Sequence, residues 1–322
     1  MAITDMSGDC KKVIVAFGEI LWDILPDCMR LGGAPFNFVC RINSLNDRGL
    51  MISRLGRDEL GRQALETVRS LGPDVGLLQQ DPIRPTGTVQ VSFDDDHMPD
   101  YLIVPEVAYD HIELTDSLID AVARADCLCF GTLVQRSGTT RHTLARLLED
   151  SSGCLKVLDI NLRKNCYCRE TVDYSLGHAD LLKLNDDEVK VLGGLLGLAA
   201  DSPIAFSNEV MERYPIKHCL VTFGEHGALV VSRTGETVYE PGYRVKLEDS
   251  VGSGDAFTAG FVHKYLCGQS VRESCHFGNM LGAIVATQVG GTEPVSAEQI
   301  EQFERNATKR NMLPELERYL AV

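Results

Sequence analysis

The stretch L-E-D-S-V-G-S-G-D-A-F-T-A-G, residues 247–260, decides how this chain is interpreted. Small and apolar residues recur at helical spacing over 256–266, so the two glycines of G-S-G-D lie where a loop enters a helix. The first amides of a helix have no partner within it, and the helix dipole adds partial positive charge there. Glycine allows an anion to approach without a Cβ in the way. The sequence therefore predicts a phosphate site made by the amides of Gly252, Ser253, Gly254 and Asp255.

Asp255 places a carboxylate beside that predicted anion, where the two negative charges repel each other. The placement is reasonable if the carboxylate takes a proton from a hydroxyl that attacks a phosphoryl group. The alternative is an ordinary glycine-containing loop in which Asp255 caps the helix, because Asp is a preferred capping residue.

The composition is that of a globular chain with an acidic balance. Of 322 residues 44% are hydrophobic, and 46 acidic against 31 basic residues give a net charge of −15. This charge disfavours nucleic acid and anionic membranes as partners. The eleven cysteines include no C-x-x-C pair, so neither a disulfide framework nor a zinc site is expected. Residues 1–12 lack the apolar run of a signal peptide, and we expect a cytoplasmic protein.

Apolar runs alternate with helical patterns along most of the chain. Strands are predicted at 12–18, 50–55, 127–130, 156–159, 181–183 and 219–222, and helices at 139–149, 186–196 and 205–214. This alternation predicts an α/β fold with a doubly wound, mostly parallel sheet flanked by helices.

A second, smaller sheet is expected within the same domain, which spans 1–322. Residues 86–93 alternate between apolar and polar side chains, and 101–104 return as a second strand. Such an exposed hairpin in an α/β pattern predicts a small β lid, formed by segments 20–34 and 86–105. Its open edges also allow pairing with a second copy of the chain, as a homodimer.

Polar residues follow three of the predicted strands. They are Asn161 and Arg163 after 156–159, Asn185 and Glu188 after 181–183, and Thr222, Gly224 and Gly227 at the end of 219–222. Because ligands bind at the carboxyl ends of strands in open parallel sheets, we expect one shared cleft. Asn185 and Glu188 also match a capping box, and both roles can coexist.

Four segments carry a family resemblance. The string D-S-V-G-S-G-D-A-F at 249–257 resembles the C-terminal signature of the ribokinase or PfkB family of carbohydrate kinases, with serines at 250 and 253 where the family usually has threonine and alanine. G-G-A-P-F-N, K-L-N-D-D-E and V-T-F-G-E-H-G are similar to further family motifs and occur in the family's order. With G-E-I-L-W-D and D-I-N-L-R, the set is most similar to the fructokinase branch; D-x-N-x-R also occurs in 2-keto-3-deoxygluconate kinases.

The resemblance implies a ribokinase-like fold and a role for each matching residue. Asp255 would be the catalytic base, and the amides from Gly252 to Asp255 an anion hole. Sugar hydroxyls would be bound by Asp23, Gly32, Gly33 and Asn37. Arg163 would contact the transferring phosphate, with a structural ion pair as the alternative. ATP would be bordered by Asn185, Thr222, Gly224, Gly227 and Asn279. Mg²⁺ would be held through water by Asn185 and Glu188, and a monovalent cation such as K⁺ by Asp249 with carbonyls near Gly290 and Gly291.

The activity implied is transfer of the γ-phosphoryl group of ATP to a primary hydroxyl of a sugar, with fructose giving fructose 6-phosphate. Other kinases of the same fold, acting on 2-keto-3-deoxygluconate, ribose or a nucleoside, remain alternatives, as does a catalytically silent sugar-binding regulator. The chain contains no G-x-x-x-x-G-K-[ST] string, which disfavours a P-loop kinase. The first strand is followed by F-G-E-I-L-W-D rather than G-x-G-x-x-G, which disfavours a Rossmann dehydrogenase.

Overall fold

The computed structural model describes residues 11–25, 27–93, 99–151 and 153–320 of the chain. Its strands are β1 (Val13–Phe17), β2 (Leu21–Ile24), β3 (Met29–Gly32), β4 (Arg48–Gly56), β5 (Leu78–Asp81), β6 (Gly87–Phe93), β7 (Pro99–Ile103), β8 (Cys127–Phe130), β9 (Leu155–Asp159), β10 (Leu181–Asn185), β11 (His218–Thr222), β12 (Gly227–Ser232), β13 (Thr237–Tyr243) and β14 (Arg310–Asn311).

The helices cover much of the remaining chain. They are α1 (Ala34–Ser44), α2 (Glu59–Leu71), α3 (Asp116–Ala123), α4 (Gly138–Asp150), α5 (Arg169–His178), α6 (Asp186–Leu196), α7 (Pro203–Arg213), α8 (Ser253–Leu266), α9 (Val271–Val285) and α10 (Ala297–Asn306). Short 3₁₀ turns lie at Ala108–His111, Leu133–Arg136, Gly224–His226 and Pro314–Tyr319. Within the described ranges, no helix has the length and apolar character needed to cross a membrane.

Ten of the described strands form one large sheet in the order β14-β13-β12-β11-β10-β9-β8-β1-β4-β5. From β5 to β11 neighbouring strands are parallel, while β12, β13 and β14 add an antiparallel edge. Strand β1 alternates between two cores: Val15 and Phe17 pack into one, Ile14 and Ala16 into the other. Both faces of the sheet are therefore covered by helices, which confirms the predicted doubly wound α/β fold.

The smaller sheet has the order β3-β2-β6-β7. Strand β2 pairs antiparallel with β3 and parallel with β6, and β6 pairs antiparallel with β7. Residues 94–98, between β6 and β7, lie outside the described residues. Because α1 begins two residues after β3 ends, this sheet is joined directly to a helix that packs on α8.

Helix α8 begins earlier than the apolar pattern indicates. The sequence predicts a helix over 256–266, but the observed helix starts at Ser253, with Gly252 as its cap. Asp255 is thus the third residue of the helix rather than its cap, so the capping alternative for this residue is wrong. Small residues such as Ser253 and Gly254 contribute little to an apolar periodicity, which is why the pattern starts late.

The strands β5, β12 and β14 and the helices α3 and α5 are absent from the sequence prediction. Strand β12, G-A-L-V-V-S, is a continuous apolar run that is buried along its whole length, so the sequence does carry a signal for it. Strand β14 has only two residues and pairs with Gly242 and Tyr243, so no local pattern predicts it.

Candidate active site

The loop before α8 presents unpaired backbone amides. Gly252 caps the helix in the left-handed region, at φ 78°. Among the described residues the amides of Gly252, Gly254 and Asp255 donate to no acceptor, whereas that of Ser253 donates to the Ser250 carbonyl at 3.3 Å. The Ser253 hydroxyl is buried and also lacks a partner in this part of the structure. Free donors at the N-terminus of a long helix suit a phosphate group.

This loop packs closely against a second glycine turn. A Cβ on Gly252 would lie 2.4 Å from the Cα atom of Gly291, and a Cβ on Gly291 would lie 2.8 Å from Cγ of Asn37. Neither position has room for a side chain. The two glycines therefore let α1, the loop before α8 and the segment at 290–291 meet at one point.

Asp255 faces α1 across this junction. Its Oδ2 atom accepts a hydrogen bond of 2.8 Å from Nδ2 of Asn37, a residue 218 positions away in sequence. The pKa of the Asp255 carboxyl is raised to about 6, chiefly by desolvation and then by the negative charge of Asp159, while Lys183 opposes the shift. At neutral pH such a carboxyl is mostly ionised yet accepts a proton readily, as a general base must.

A buried ion pair borders the loop on its inner side. Nζ of Lys183 lies 3.2 Å from Oδ1 of Asp159, and both side chains are 9% exposed. A Cβ on Gly254 would lie 3.0 Å from Nζ of Lys183, so the ammonium group is adjacent to the unpaired amides. Burial acts to lower the pKa of Lys183, but the carboxylates of Asp159, Glu188 and Asp255 outweigh it and raise this pKa. The positive end of this ion pair is therefore the end that lies next to the loop.

Polar atoms from the small sheet and α1 converge beside α8. A Cβ on Gly32 would lie 3.1 Å from Oδ2 of Asp23 and 3.9 Å from Oδ1 of Asn37. Oδ1 of Asn37 is buried and accepts no hydrogen bond from any described residue. Gly33 has φ 115°, and a Cβ there would lie 2.5 Å from the carbonyl oxygen of Glu19. A free amide oxygen beside a carboxylate suits the hydroxyl groups of a polyol.

Arg163 follows β9 and is exposed. Within the described ranges its side chain makes neither a hydrogen bond nor an ion pair, so the ion-pair alternative is not observed. Its positive charge nevertheless acts to lower the pKa values of Glu19, Asp23 and Asp255. Arg163 thus adds positive potential to the cleft while its guanidinium remains available.

Asn185 and Thr222 lie side by side at the ends of β10 and β11, where they are register partners. Oδ1 of Asn185 accepts from the amide of Glu188 and the Glu188 carboxylate accepts from the amide of Asn185, both at 2.8 Å. The other Glu188 oxygen accepts from the amide of Leu162 at 2.8 Å. The capping box is therefore present. Burial raises the pKa of Glu188, and Lys183 opposes the shift.

Gly227 and Asn279 meet at Pro241. Gly227 is the register partner of Pro241 in the β12–β13 pair, and Nδ2 of Asn279 donates to the Pro241 carbonyl at 2.7 Å. A Cβ on Gly227 would lie 2.0 Å from the carbonyl oxygen of Glu240, so glycine is required there by packing alone. Gly224, at φ 54°, begins the turn between β11 and β12 with open space around it. These residues flank the cleft on the side of the antiparallel strands.

Asp249 lies at the opposite edge of the loop. Its Oδ2 atom accepts from Nη1 of Arg30 and from the amide of Gly290, both at 3.0 Å. Its Oδ1 atom accepts from the amide of Val251 at 3.0 Å. Both carboxylate oxygens are thus engaged by N–H donors.

Comparison with known proteins identifies the family. A model of the pfkB family carbohydrate kinases matches residues 28–298, which include both glycine turns and the ends of all the parallel strands of the large sheet except β1. The chain belongs to the PfkB family of carbohydrate kinases.

The similarity to individual relatives extends over nearly the whole chain. Fructokinase-1 of Zea mays is 25% identical to it over 92% of this chain and 98% of the relative. The structure of a fructokinase from Vibrio cholerae O395, bound to fructose, ADP and calcium ion, superposes with a TM-score of 0.79 at 22% identity, covering 92% of this chain and 99% of that one. A 2-dehydro-3-deoxygluconokinase from Thermotoga maritima gives a TM-score of 0.79 at 18% identity, covering 92% and 99%. These structural likenesses confirm the PfkB kinase fold.

Two buried charged residues of this PfkB kinase site are not evident from the sequence alone. Lys183 has a weak signal, a lysine within the otherwise apolar L-L-K-L of β10, which requires a buried partner. Glu19 stands between two apolar segments and is 5% exposed. Oε1 of Glu19 accepts from the amide of Ala34 at 3.3 Å, and a cavity of about 20 Å³ adjoins it. Their positions depend on which strands become neighbours.

Glu19 makes a pH-dependent contribution to stability. Burial raises its pKa from the ordinary 4.5 to about 7. The folded protein therefore binds this proton more tightly than the unfolded chain, and stability is lost as pH rises from about 4.5 to about 7. Gln mimics the protonated acid, so Glu19→Gln should be more stable than the wild type above that window, by up to roughly 3 kcal/mol. Below it the two proteins should be equal.

Urea unfolding of both proteins at several pH values measures this difference. Asp255 titrates in a similar range but is present in both proteins, so the difference between them reports mainly on Glu19 and its interaction with Asp255. A wild-type protein that is as stable as the variant across the whole pH range would contradict the expected pKa.

Proposed function

We propose that this PfkB carbohydrate kinase is a fructokinase, which transfers the γ-phosphoryl group of ATP to the primary hydroxyl of fructose that gives fructose 6-phosphate. The observation that carries the proposal is the position of Asp255. Its carboxylate is bonded to Asn37 at 2.8 Å and lies beside the unpaired amides of Gly252 and Gly254. A base and an anion site at one point are what phosphoryl transfer to a hydroxyl requires.

In the proposed mechanism Asp255 accepts the proton of the attacking sugar hydroxyl. The hydrogen bond from Asn37 fixes the orientation of the carboxylate, and the raised pKa matches it to a task at neutral pH. Oδ1 of Asn37, free among the described residues, and the Asp23 carboxylate accept hydrogen bonds from other sugar hydroxyls. Together they hold the reacting oxygen within reach of the base.

The transferring phosphoryl group lies against the N-terminus of α8. The free amides of Gly252, Gly254 and Asp255 and the Ser253 hydroxyl donate to its oxygens. The Lys183 ammonium group, adjacent to Gly254, adds positive charge from below. Preorganised donors of this kind stabilise the charge that develops in the transition state.

ATP fits along the ends of β10 and β11. Thr222, Gly224, Gly227 and Asn279 border the nucleotide, and the turn at Gly224 leaves open space for it. Asn185 and Glu188 offer oxygen atoms that already accept amide hydrogens, which suits Mg²⁺ held through water rather than by direct ligation. When bound, Mg²⁺ neutralises phosphate charge. The small sheet acts as a lid that excludes water from the sugar.

A second candidate substrate is a sugar acid such as 2-keto-3-deoxygluconate. The exposed Arg163 guanidinium, without an ion-pair partner in the described ranges, is the observation that favours it, because it can pair with a substrate carboxylate. Fructose offers no such group. Ribose and nucleosides also lack it and remain candidates on fold grounds alone. A silent sugar-binding regulator would need neither Asp255 nor the free amides.

A coupled ADP-release assay over a sugar panel tests the proposal. The panel contains fructose, 2-keto-3-deoxygluconate, ribose, adenosine and fructose 1-phosphate, each with ATP and Mg²⁺. We expect turnover with fructose to exceed that with every other member. Turnover only with the sugar acid, and its loss in Arg163→Ala, would replace fructose by the second candidate. Sugar binding by calorimetry without turnover of any member would assign the protein to the regulators.

The edges of the small sheet support a further proposal, that two copies pair through it. Met29 on β3 and Leu102 on β7 are 47% and 56% exposed, so each edge strand exposes an apolar side chain next to its unpaired backbone groups. Sedimentation equilibrium of the full chain would decide between a monomer and this dimer.

A further inference from the structure

The Asp249 carboxylate is bound by N–H groups where the family resemblance implies a monovalent cation. Oδ2 accepts from Nη1 of Arg30 and the amide of Gly290, and Oδ1 accepts from the amide of Val251, each at 3.0 Å. Three of the roughly four lone-pair directions of this carboxylate are taken by N–H donors, and one of these donors, Arg30, carries a positive charge that repels a second cation at the same oxygen atom. The residues present therefore do not fit a cation at Asp249.

Arg30 reaches this position from the small sheet. It lies on β3, opposite Asp23 of β2 in the antiparallel register. Its Cδ atom would be 3.9 Å from a Cβ on Gly290, so the side chain lies along the 290–291 turn. The Arg30 side chain is 40% exposed and that of Asp249 is 17% exposed. The ion pair thus closes the rim of the cleft between the small sheet and the loop before α8.

Asp249 is directly connected to the anion site. Val251, whose amide it binds, immediately precedes Gly252, the cap of α8. Gly290, whose amide it also binds, immediately precedes Gly291. Gly252 packs so closely on Gly291 that a Cβ on Gly252 would lie 2.4 Å from the Cα atom of Gly291. One carboxylate therefore fixes both sides of the glycine contact. Of the three donors that hold this carboxylate at the rim, Arg30 is the charged one.

We infer that the Arg30 guanidinium group is the built-in cation of this loop, taking the place of a bound monovalent ion. Arg30 is thereby a positioning residue: it acts through Asp249 on the amides that face the phosphoryl group. The inference rests on the proposed kinase activity and deepens it in two ways. First, turnover is independent of K⁺. Second, the position of the small sheet over the sugar is coupled to the shape of the anion site, because Arg30 lies on the small sheet and binds Asp249 of the loop before α8.

The first test compares initial rates of the wild-type protein, with ATP, Mg²⁺ and the preferred sugar, in KCl and in tetramethylammonium chloride at equal ionic strength of about 0.15 M. We expect the two rates to agree within about twofold, which is less than the smallest couplings usually measured between bound ligands. Stimulation by K⁺ of about tenfold or more would overturn the inference.

The second test uses Arg30→Ala with Arg48→Ala as its matched control. Arg48 forms an exposed ion pair with Asp74 at 3.2 Å, outside the cleft, so its loss should leave the rate unchanged. Arg30→Ala should lower turnover about tenfold or more, with faster hydrogen exchange at 249–254, and millimolar guanidinium should restore part of the rate. An Arg30→Ala variant as active as the wild type would overturn the inference.

A measurement that needs no turnover separates this inference from the proposed activity. If no sugar is phosphorylated in any salt, the proposed function fails, and thermal unfolding of the wild-type protein then decides the inference alone. We expect the same unfolding midpoint in KCl and tetramethylammonium chloride. A rise in the midpoint specific to K⁺ would show a bound ion and overturn the role given to Arg30.

Discussion

Asp255→Asn is expected to lower turnover by about 10²–10⁴-fold while leaving the affinities for sugar and ATP nearly unchanged. The asparagine side chain has the same shape, and its carbonyl oxygen can still accept the hydrogen bond that Nδ2 of Asn37 donates at 2.8 Å. It cannot take a proton from a sugar hydroxyl at neutral pH. Steady-state rates combined with calorimetric binding of sugar and of ATP measure the two effects separately.

The wild-type pH profile provides an independent check on Asp255. Because its pKa is raised to about 6, the base is protonated below that pH and ionised above it. The turnover number divided by the Michaelis constant should therefore rise as pH increases through about 6 and then level off. This rising limb should be absent from the residual activity of Asp255→Asn.

Asp47→Asn is the matched control, because Asp47 is another buried carboxylate bonded to α8, through His263 at 2.7 Å. We expect this control to lose stability and to keep its turnover. Activity of Asp255→Asn within a few-fold of the wild type would refute its role as the base.

Gly252→Ala should have the second largest effect, a loss of turnover of about 10²–10³-fold. The left-handed backbone, at φ 78°, resists a side chain by about 1–2 kcal/mol. In addition, the new Cβ would lie 2.4 Å from the Cα atom of Gly291, so either the loop or the 290–291 turn must move. Displacement of the loop takes the free amides away from the phosphoryl oxygens.

Gly268→Ala separates these two causes. Gly268 follows α8 and has the same φ of 78°, but a Cβ there would meet nothing within 4 Å. Both variants therefore carry the same backbone strain, and only Gly252→Ala adds the close contact. We expect equal losses of stability from strain, a further loss in Gly252→Ala, and a fall in turnover in Gly252→Ala alone. Equal rates for the two variants would show that the loop tolerates the side chain.

The sequence predicts those parts of this kinase that depend on local patterns. The buried runs of β1 and β8 and the exact bounds of α6 follow from apolar periodicity, and the polar ends of β10 and β11 identify the edge of the sheet that forms the cleft. The G-S-G-D motif predicts the unpaired amides at the start of α8, because the first amides of a helix have no partner within it.

The remaining features depend on pairings between distant parts of the chain. The Arg30–Asp249 bond joins residues 219 positions apart, and Lys183 meets Asp159 only because β10 lies beside β9. The sequence shows that each of these residues is charged but does not show which residue it pairs with. The cation implied for Asp249 could therefore be tested only once the N–H donors around its carboxylate were known. Glu19 is similar, since its raised pKa arises from burial by elements that no local pattern describes.

The bond between Asn37 and Asp255 has a consequence for how the protein is made. Its partners lie 218 residues apart, so the Asp255 carboxylate meets the Asn37 amide only after most of the chain has left the ribosome. At synthesis rates of about 5–20 residues per second, the first partner waits roughly 10–40 s for the second. During this time α1 can pack on β1 and β4, but the side of α1 that contacts α8 in the finished protein has no cover. Nascent chains of this kinase should therefore expose that side of α1 until α8 has been made.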